Sequence, residues 1–442
     1  MNHIVLCLVR KMASIEKRGN NSYRITVSCG FSNGGKRIKK SMLFTPSRDA
    51  KTKKQIKEEV KRAATEFESL VLLGKYFEGN RMKLHDFVDK WERDYAKYNI
   101  SPSVMEGYKR MIEKDIYPYI GNMPIGKITP MHVQDIYSDM INRGLKANSV
   151  KKVHAVLSGI YTRAVKWGVI DSNANPMKRV DLPKKDKDFR IHCFTIEQSR
   201  IFLKALSKVY PVKKKAHKRV LKSTGQEYSV PEYTELHQVS LQFKCLFTLL
   251  LFSGIRRGEC IALTWRDVDF KNSEVSIEKT AVKLSGKQIL KEPKTVSGYR
   301  KITIPRFLIK MLKAWKKEQM SLSIRSGNTW QGKIGKDFDD NFIFIQDNGQ
   351  QMHLSTPTHK FREIIDLHNA NCKEGEELPR IRLHDLRHTS ATLLISEGVD
   401  VRTVAGRLGH SSPSLTLNVY AEALQSADKD ALKKLENVLA IK

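Results

Sequence analysis

Arg256 and Arg387 are the side chains around which chemistry can be built from this sequence. They stand in Gly254-Ile255-Arg256-Arg257-Gly258-Glu259 and His384-Asp385-Leu386-Arg387-His388; three further stretches are Pro293-Lys294-Thr295, Leu408-Gly409-His410 and Tyr420. A phosphodiester being displaced gains negative charge on its non-bridging oxygens. Arginine meets that charge with a planar, permanently charged fork that reaches two oxygens at once. His384 and Arg387 are three apart, so a helix would project them from one face and set a proton-handling group beside an oxygen clamp. Tyr420 offers a phenol for covalent attack. Its ordinary pKa of about 10 requires that its proton be taken or its phenolate stabilised, which two arginines and nearby histidines would do.

Each residue also has a plainer reading. Arg256 could be a surface arginine after a glycine turn, and Tyr420 a packed aromatic near Leu417. Lys294 could be a solvated turn lysine, with Lys291 and Lys301 as rivals. His384 and His388 have the spacing of a zinc pair, but Arg387 lies between them and a third ligand is missing, so no metal is expected. Arg257 should point away from Arg256. Glu259, one helical turn on, should orient Arg256 or cap its helix. The carboxylates form no obvious two-metal cluster, so metal-assisted cleavage fits poorly and no cofactor is expected.

The elements between these stretches must bring them together. Residues 236–252 are strongly apolar and read as a helix that delivers Ser253-Gly254-Ile255-Arg256. Strands are expected at 274–282, 287–292 and 300–304, with turns at Ser285-Gly286 and 294–298. A tail helix with Leu432, Leu435, Val438 and Leu439 closes the chain. Thr195 caps a helix through Leu206, and the basic stretch 208–231 is expected to be a disordered loop or insertion.

Upstream, residues 13–45 alternate. Tyr23, Ile25 and Val27 share one face, Arg24, Thr26 and Ser28 the other, and Asn33-Gly34-Gly35 turns the chain into a returning strand with Lys36, Arg37 and Lys39. Residues 52–73 take helical period through Ile56, Val60, Ala63, Phe67 and Leu70. Residues 76–82 read as a linker. Four helices follow: one with Leu84, Phe87, Val88, Trp91 and Tyr95, one opened by Ser101-Pro102, one opened by Thr129-Pro130 and ending near Gly144, and one over 149–167 stopped by Gly168. Lys146, Lys151 and Lys152 line its approach, either as snorkelling bundle lysines or as DNA contacts. Residues 169–193 read as the clearest interdomain linker.

The 442 residues, 40% hydrophobic, are enough for two to four domains. A formal charge of +32, from 79 Lys and Arg against 47 Asp and Glu, points to a polyanionic partner. The surplus is marked in the first 75 residues, where a basic sheet face suits a DNA groove better than a merely solvated surface. No apolar run reaches the ~20 residues of a spanning helix, so no membrane partner is expected. Six scattered cysteines without a Cys-x-x-Cys pair read as reduced thiols. The opening 1–10 is too short and wrongly flanked for a secretory signal, and translation from Met12 is an alternative that intact mass would decide.

In this order, the five motifs resemble those of the tyrosine recombinase family, in particular integrases of prophages and integrative conjugative elements. The resemblance covers nearly the whole chain; the 208–231 stretch departs from the compact family pattern. It implies a mainly α fold with small β-sheets: residues 1–75 a three-stranded sheet plus helix for arm-site DNA, 82–180 a helical core-site domain, and 190–442 the catalytic domain. It implies site-specific cutting and rejoining of DNA through a covalent 3′-phosphotyrosine at Tyr420, with a 5′-hydroxyl leaving and no ATP. Arg256 and Arg387 would clamp the phosphate, His384 would shuttle the tyrosine proton, His410 would hydrogen-bond the phosphate, and Lys294 would act as general acid. The expected partners are double-stranded DNA with core and arm-type attachment sites, further copies in a tetramer, and a small basic directionality factor. The expected location is the cytoplasm of a bacterial host, at the nucleoid. A type IB topoisomerase and a cleavage-deficient DNA-binding regulator are the competing readings; the separate head and long linker argue against the first, the complete catalytic set against the second. The tail helix is expected to dock on a neighbouring protomer or in cis.

Overall fold

The computed structural model describes residues 13–19, 21–31, 35, 37–47, 52–72, 78–184, 192–220, 225–293 and 296–409. Lys36, Lys294, His410, Tyr420 and the tail helix lie outside these described residues. The chain divides into two compact units, 1–187 and 188–442.

The first unit opens with β1 (Ser14–Gly19), β2 (Ser22–Phe31) and β3 (Arg37–Phe44), an antiparallel sheet in that order, followed by α1 (Lys53–Leu72). Ile25 and Val27 are buried with Ala63, Ala64 and Phe67. Strand alternation therefore turns Arg24, Thr26 and Ser28 away from that core. Register places Lys39 opposite Ser28 and Leu43 opposite Arg24, and Arg37 Nε donates to Ser28 Oγ at 3.0 Å. Arg24, Arg37 and Lys39 are thus exposed on the sheet. Leu70, expected in the α1 stripe, is 44% exposed, because Val71, four residues after Phe67, takes the core seat instead.

Four helical runs follow. The first is α2 (Leu84–Trp91), a π-helical turn Glu92–Ala96 and α3 (Lys97–Asn99); the second is α4 (Pro102–Met111), a π-helical turn Ile112–Ile116 and α5 (Tyr117–Ile120). The others are α6 (Pro130–Asn142) and α7 (Ala147–Lys166). Leu84, Phe87, Trp91, Ile116, Tyr137, Leu157 and Ile160 form their shared core. Thr129 caps α6 through His132 as its position foretells, whereas Ser101 stands at the start of α4 without a capping bond. Lys146 is exposed and immediately precedes α7, with Lys151 and Lys152 in its first two turns.

Both expected linkers are shorter than their composition suggested. Gly79 N donates to Val169 O at 2.8 Å, so the described part of 76–82 belongs to the helical core. Val169, Ile170 and Met177 are buried in that core, and Asp171 and Asn175 cap two short 3₁₀ turns beyond α7. Asn, Asp and Pro signalled these local turns rather than a free chain.

The second unit begins with α8 (Ile196–Ala205), capped by Thr195. The basic stretch after it is not a loop. It forms a β-ribbon of β4 (Val209–Lys214), β5 (His217–Val220), β6 (Glu227–Val230) and β7 (Tyr233–Gln238), β4 pairing with β7 and β5 with β6. The lysines of the outgoing strands face acids on the return: Lys214 meets Glu235 at 3.5 Å and Lys218 meets Glu227 at 3.3 Å. Tyr210 is fully buried and its hydroxyl lies 3.1 Å from His368 Nδ1, anchoring the ribbon base. The apolar helix consequently starts later than expected, as α9 (Leu241–Ser253), and Leu236 is exposed on the ribbon.

Next come α10 (Arg257–Ala262), β8 (Val268–Asp269), β9 (Glu274–Ile277), β10 (Thr280–Leu284), β11 (Lys287–Lys291) and β12 (Arg300–Thr303). One sheet has the order β12-β9-β8; β10 and β11 form a separate hairpin turning at Ser285-Gly286. The helices α11 (Arg306–Ser326), α12 (Thr356–Asn369), α13 (Asp385–Ser396) and α14 (Val401–Leu408) complete the described fold. Side chains of α9, with Phe202, Trp265, Leu312, Trp315, Phe361 and Leu386, make a single core. The architecture is mainly α with small β-sheets. Among the described residues no helix is long and apolar enough to cross a membrane.

Candidate active site

The buried helix α9 ends at Gly254, whose φ of 65° is the left-handed geometry that closes a helix and favours glycine. A β-carbon there would stand 2.6 Å from Leu408 Cδ2, so glycine also allows α9 and α14 to approach. The Gly254 carbonyl accepts from Arg387 Nη1 at 2.8 Å across 133 residues of sequence. Two residues on, Arg256 is extended (φ −72°, ψ 149°) and starts α10. The loop 254–256 therefore carries one arginine and holds the other.

Glu259 fixes Arg256 from behind. Its carboxylate accepts from the Arg256 backbone N at 2.9 Å and from Nη1 at 2.7 Å. Arg256 Nη2 reaches the Gly409 carbonyl at 3.3 Å, next in sequence to His410. The Arg256 side chain is 42% exposed and can still meet an anion, while that of Glu259 is 8% exposed and serves as its support.

The sequence reading missed a third arginine. Arg300 Nη2 pairs with Glu259 Oε2 at 2.8 Å, its Nε donates to Arg407 O at 2.9 Å, and its Nη1 donates to Gly298 O at 3.2 Å. Arg407 in turn donates to Phe252 O and Thr303 O at 2.8 and 3.0 Å. One buried guanidinium thereby ties the Arg256 support, the chain leading into β12 and the end of α14 together. Burial alone would raise the Glu259 pKa; the Arg300 hydrogen bond and charge, then Arg256, outweigh it and hold it below the usual carboxylate range. Lys301, next along β12, is exposed.

His384 immediately precedes α13 and keeps an open face to solvent while the rest of its ring is enclosed. That enclosure, then His388 and Arg387, push its pKa down to about 4, with Arg256 adding to the effect and Asp385 opposing it. It is a neutral imidazole at neutral pH, able to accept a proton. His388 stands edge-on to it, with centroids 5.2 Å apart, and is lowered by burial in the same direction. The buried carboxylate of Asp385 accepts from Arg382 N and Nη2 at 2.8 Å each, which fixes the first turn of α13. Arg387 is 3% exposed.

Arg256 and Arg387 thus meet at the loop 254–256, and both act on the charge of His384, while Arg257 turns to Thr358 Oγ1 at 2.7 Å. The basic residues Arg24, Arg37, Lys39, Lys146, Lys151 and Lys152 all belong to the other unit.

The family model "Phage integrase family" matches residues 224–426, a span that contains Arg256, Lys294, His384, Arg387, His410 and Tyr420. "Phage integrase, N-terminal SAM-like domain" matches 83–141. The chain belongs to the phage integrase family of tyrosine recombinases. Among its integrase relatives, the ICEBs1 integrase of Bacillus subtilis (strain 168) is 26% identical, over 96% of this chain and 100% of the relative. A tyrosine recombinase XerC-like protein of Caldanaerobacter subterraneus subsp. tengcongensis is 24% identical, over 97% and 99%. The integrase fold is shared with the Tn1549 transposon integrase in complex with circular intermediate DNA: TM-score 0.61, 21% identity, 80% of this chain and 100% of that one. A lambda integrase tetramer bound to a Holliday junction aligns with a TM-score of 0.50 at 17% identity, over 90% and 96%.

Proposed function

We propose that this chain is a site-specific DNA recombinase that integrates and excises a mobile element. The observation that carries the reading is the shared loop 254–256, which presents Arg256 and holds Arg387 through the Gly254 carbonyl. One arginine carried by this loop and another bonded to it suit the non-bridging oxygens of a single phosphate.

In the reaction, the Tyr420 phenol oxygen bonds to phosphorus as the bond to the 5′-oxygen breaks. The phenol proton passes to neutral His384, and Lys294 protonates the departing 5′-oxygen. Arg256, Arg387 and His410 hold the phosphate. The 3′-phosphotyrosine keeps the energy of the broken bond, so a 5′-hydroxyl from another strand can reverse the step without ATP. Residues 1–75 would bind arm-type sites through Arg24, Lys36, Arg37 and Lys39. Residues 82–180 would bind core sites through Lys146, Lys151 and Lys152, and 190–442 would cut. DNA is the partner. Assembly as a tetramer, a small basic directionality factor and nucleoid association belong to the same proposal, the first supported by the lambda integrase tetramer.

The test is a plasmid reaction between the two ends flanking the gene's element. Recombinant junctions without ATP are expected. Relaxation of any supercoiled plasmid with no junctions would favour a topoisomerase.

A further inference from the structure

Arg257 is the residue that the mechanism leaves over. Its guanidinium is half-buried, and burial alone pulls its pKa down, with no acid acting against that. Several arginines of this unit have an acid: Arg256 and Arg300 share Glu259, Arg382 has Asp385 and Arg266 has Asp340. Arg407, like Arg257, has its pKa lowered by burial alone, but its guanidinium is taken up by the Phe252 and Thr303 carbonyls. Among the described residues Arg257 has no such counter-ion. A partly desolvated cation in that position is costly to maintain, and an incoming anion relieves the cost.

The space in front of Arg257 is a cleft of about 660 Å³, with Lys283, Lys287, Gln288, His353 and Ser355 on its walls. Among the described residues no carboxylate lines it. Gln288 locks one wall to the other. Its Nε2 donates to Gln351 Oε1 at 2.7 Å and to Met352 O at 2.9 Å, and its Oε1 accepts from Leu354 N at 2.8 Å. The β10–β11 hairpin, which carries Lys283 and Lys287, is thereby held against the segment that leads into α12. The amino end of α12 adds its positive pole.

We propose that this cleft seats a second phosphodiester of the same DNA strand, within about two phosphates of the one gripped by Arg256. Adjacent residues lie ~3.8 Å apart at Cα, and side chains that diverge from them end farther apart than that, as successive phosphates of one strand stand farther apart than their ~3.4 Å rise along the duplex axis. Arg256 and Arg257, diverging from consecutive positions, can therefore serve two points on one backbone. Lys283 and Lys287 add charge around the second point. The cleft holds the strand in register while Arg256 and Arg387 act on the scissile linkage. The inference rests on the recombinase reading, and its test does not require cleavage.

The full-length chain and its Arg257→Gln and Lys287→Ala variants are titrated onto attachment-site duplex at several salt concentrations. Gln keeps a donor for Thr358 without the charge, and exposed Lys287 can be changed without touching the core. Each variant is expected to bind several-fold more weakly, with the slope of log K against log salt reduced by about 1. A scan of single neutral methylphosphonate linkages then locates the contact. One linkage should weaken the parent chain yet add nothing to the loss in Arg257→Gln. Parental salt slopes in both variants, or equal sensitivity of parent and variant at every linkage, would overturn the proposal. So would Arg257-dependent binding of inorganic phosphate with no linkage-specific pattern on DNA. A chain that passes this test but forms no covalent adduct would retain the cleft and lose the recombinase reading.

Discussion

Arg300 and Glu259 form an ion pair at 2.8 Å with only 7% and 8% of their side chains exposed. Removing one member of such a pair leaves the other charge buried, at a cost of ~3–5 kcal/mol. Arg300→Ala should lower stability by that order in urea unfolding. Arg300→Lys, which keeps the charge but not the fork, should fold and bind DNA yet cleave at least tenfold more slowly, because Arg256 loses a rigid support. Parental cleavage by Arg300→Lys would show that the support is dispensable.

Gly409 has φ 69°, and a β-carbon on it would lie 2.9 Å from Arg300 Nη1. Gly409→Ala should cost ~1–2 kcal/mol for the left-handed backbone alone, plus displacement of Arg300. A melting temperature equal to the parent's would contradict that crowding.

Much of this fold was legible because its signals are local. The period of Val60, Ala63 and Phe67, the alternation of Ile25 and Val27, and the cap at Thr129 each report on a few neighbours. The ribbon at β4–β7 was not, because its lysines were read without the glutamates that oppose them on the returning strands. Arg300 left a usable trace. It alternates with Ile302 and Ile304, both buried, so it falls on the inward face of β12 and needs a buried acid there. Sequence did not reveal that the acid is Glu259, because that pairing is a tertiary fact. Arg256, His384 and Arg387 were legible as residue types in ordered motifs, and the structure gathers them; the loop that joins the two arginines through Gly254 could be seen only in three dimensions.

Neutral His384 sets a pH dependence. Its folded pKa, about 4, lies below the unfolded 6.5, so between these values the unfolded chain binds more protons. Stability should therefore be steady above pH ~6.5 and fall as the pH drops toward 4. His388, lowered in the same direction, adds to the trend. His384→Gln should flatten this part of the stability profile, measured by thermal melts at fixed salt, and should slow adduct formation at neutral pH. An unchanged profile would place the imidazole outside the enclosure described.

Arg256→Ala and Arg387→Ala should each reduce cleavage by ~10²–10³-fold, the scale for loss of one preorganised oxyanion donor. Arg387→Ala should also destabilise the fold, since Arg387 bonds the Gly254 carbonyl, whereas the more exposed Arg256 should cost less. Single-turnover cleavage and urea unfolding on both variants separate the two effects.

The most direct measurement is covalent trapping on a nicked attachment-site substrate, followed by mass spectrometry of the DNA-linked peptide. The account predicts a 3′-phosphate ester on Tyr420, formed without ATP and abolished by Tyr420→Phe. An adduct on any other residue, or one that survives that substitution, would contradict it.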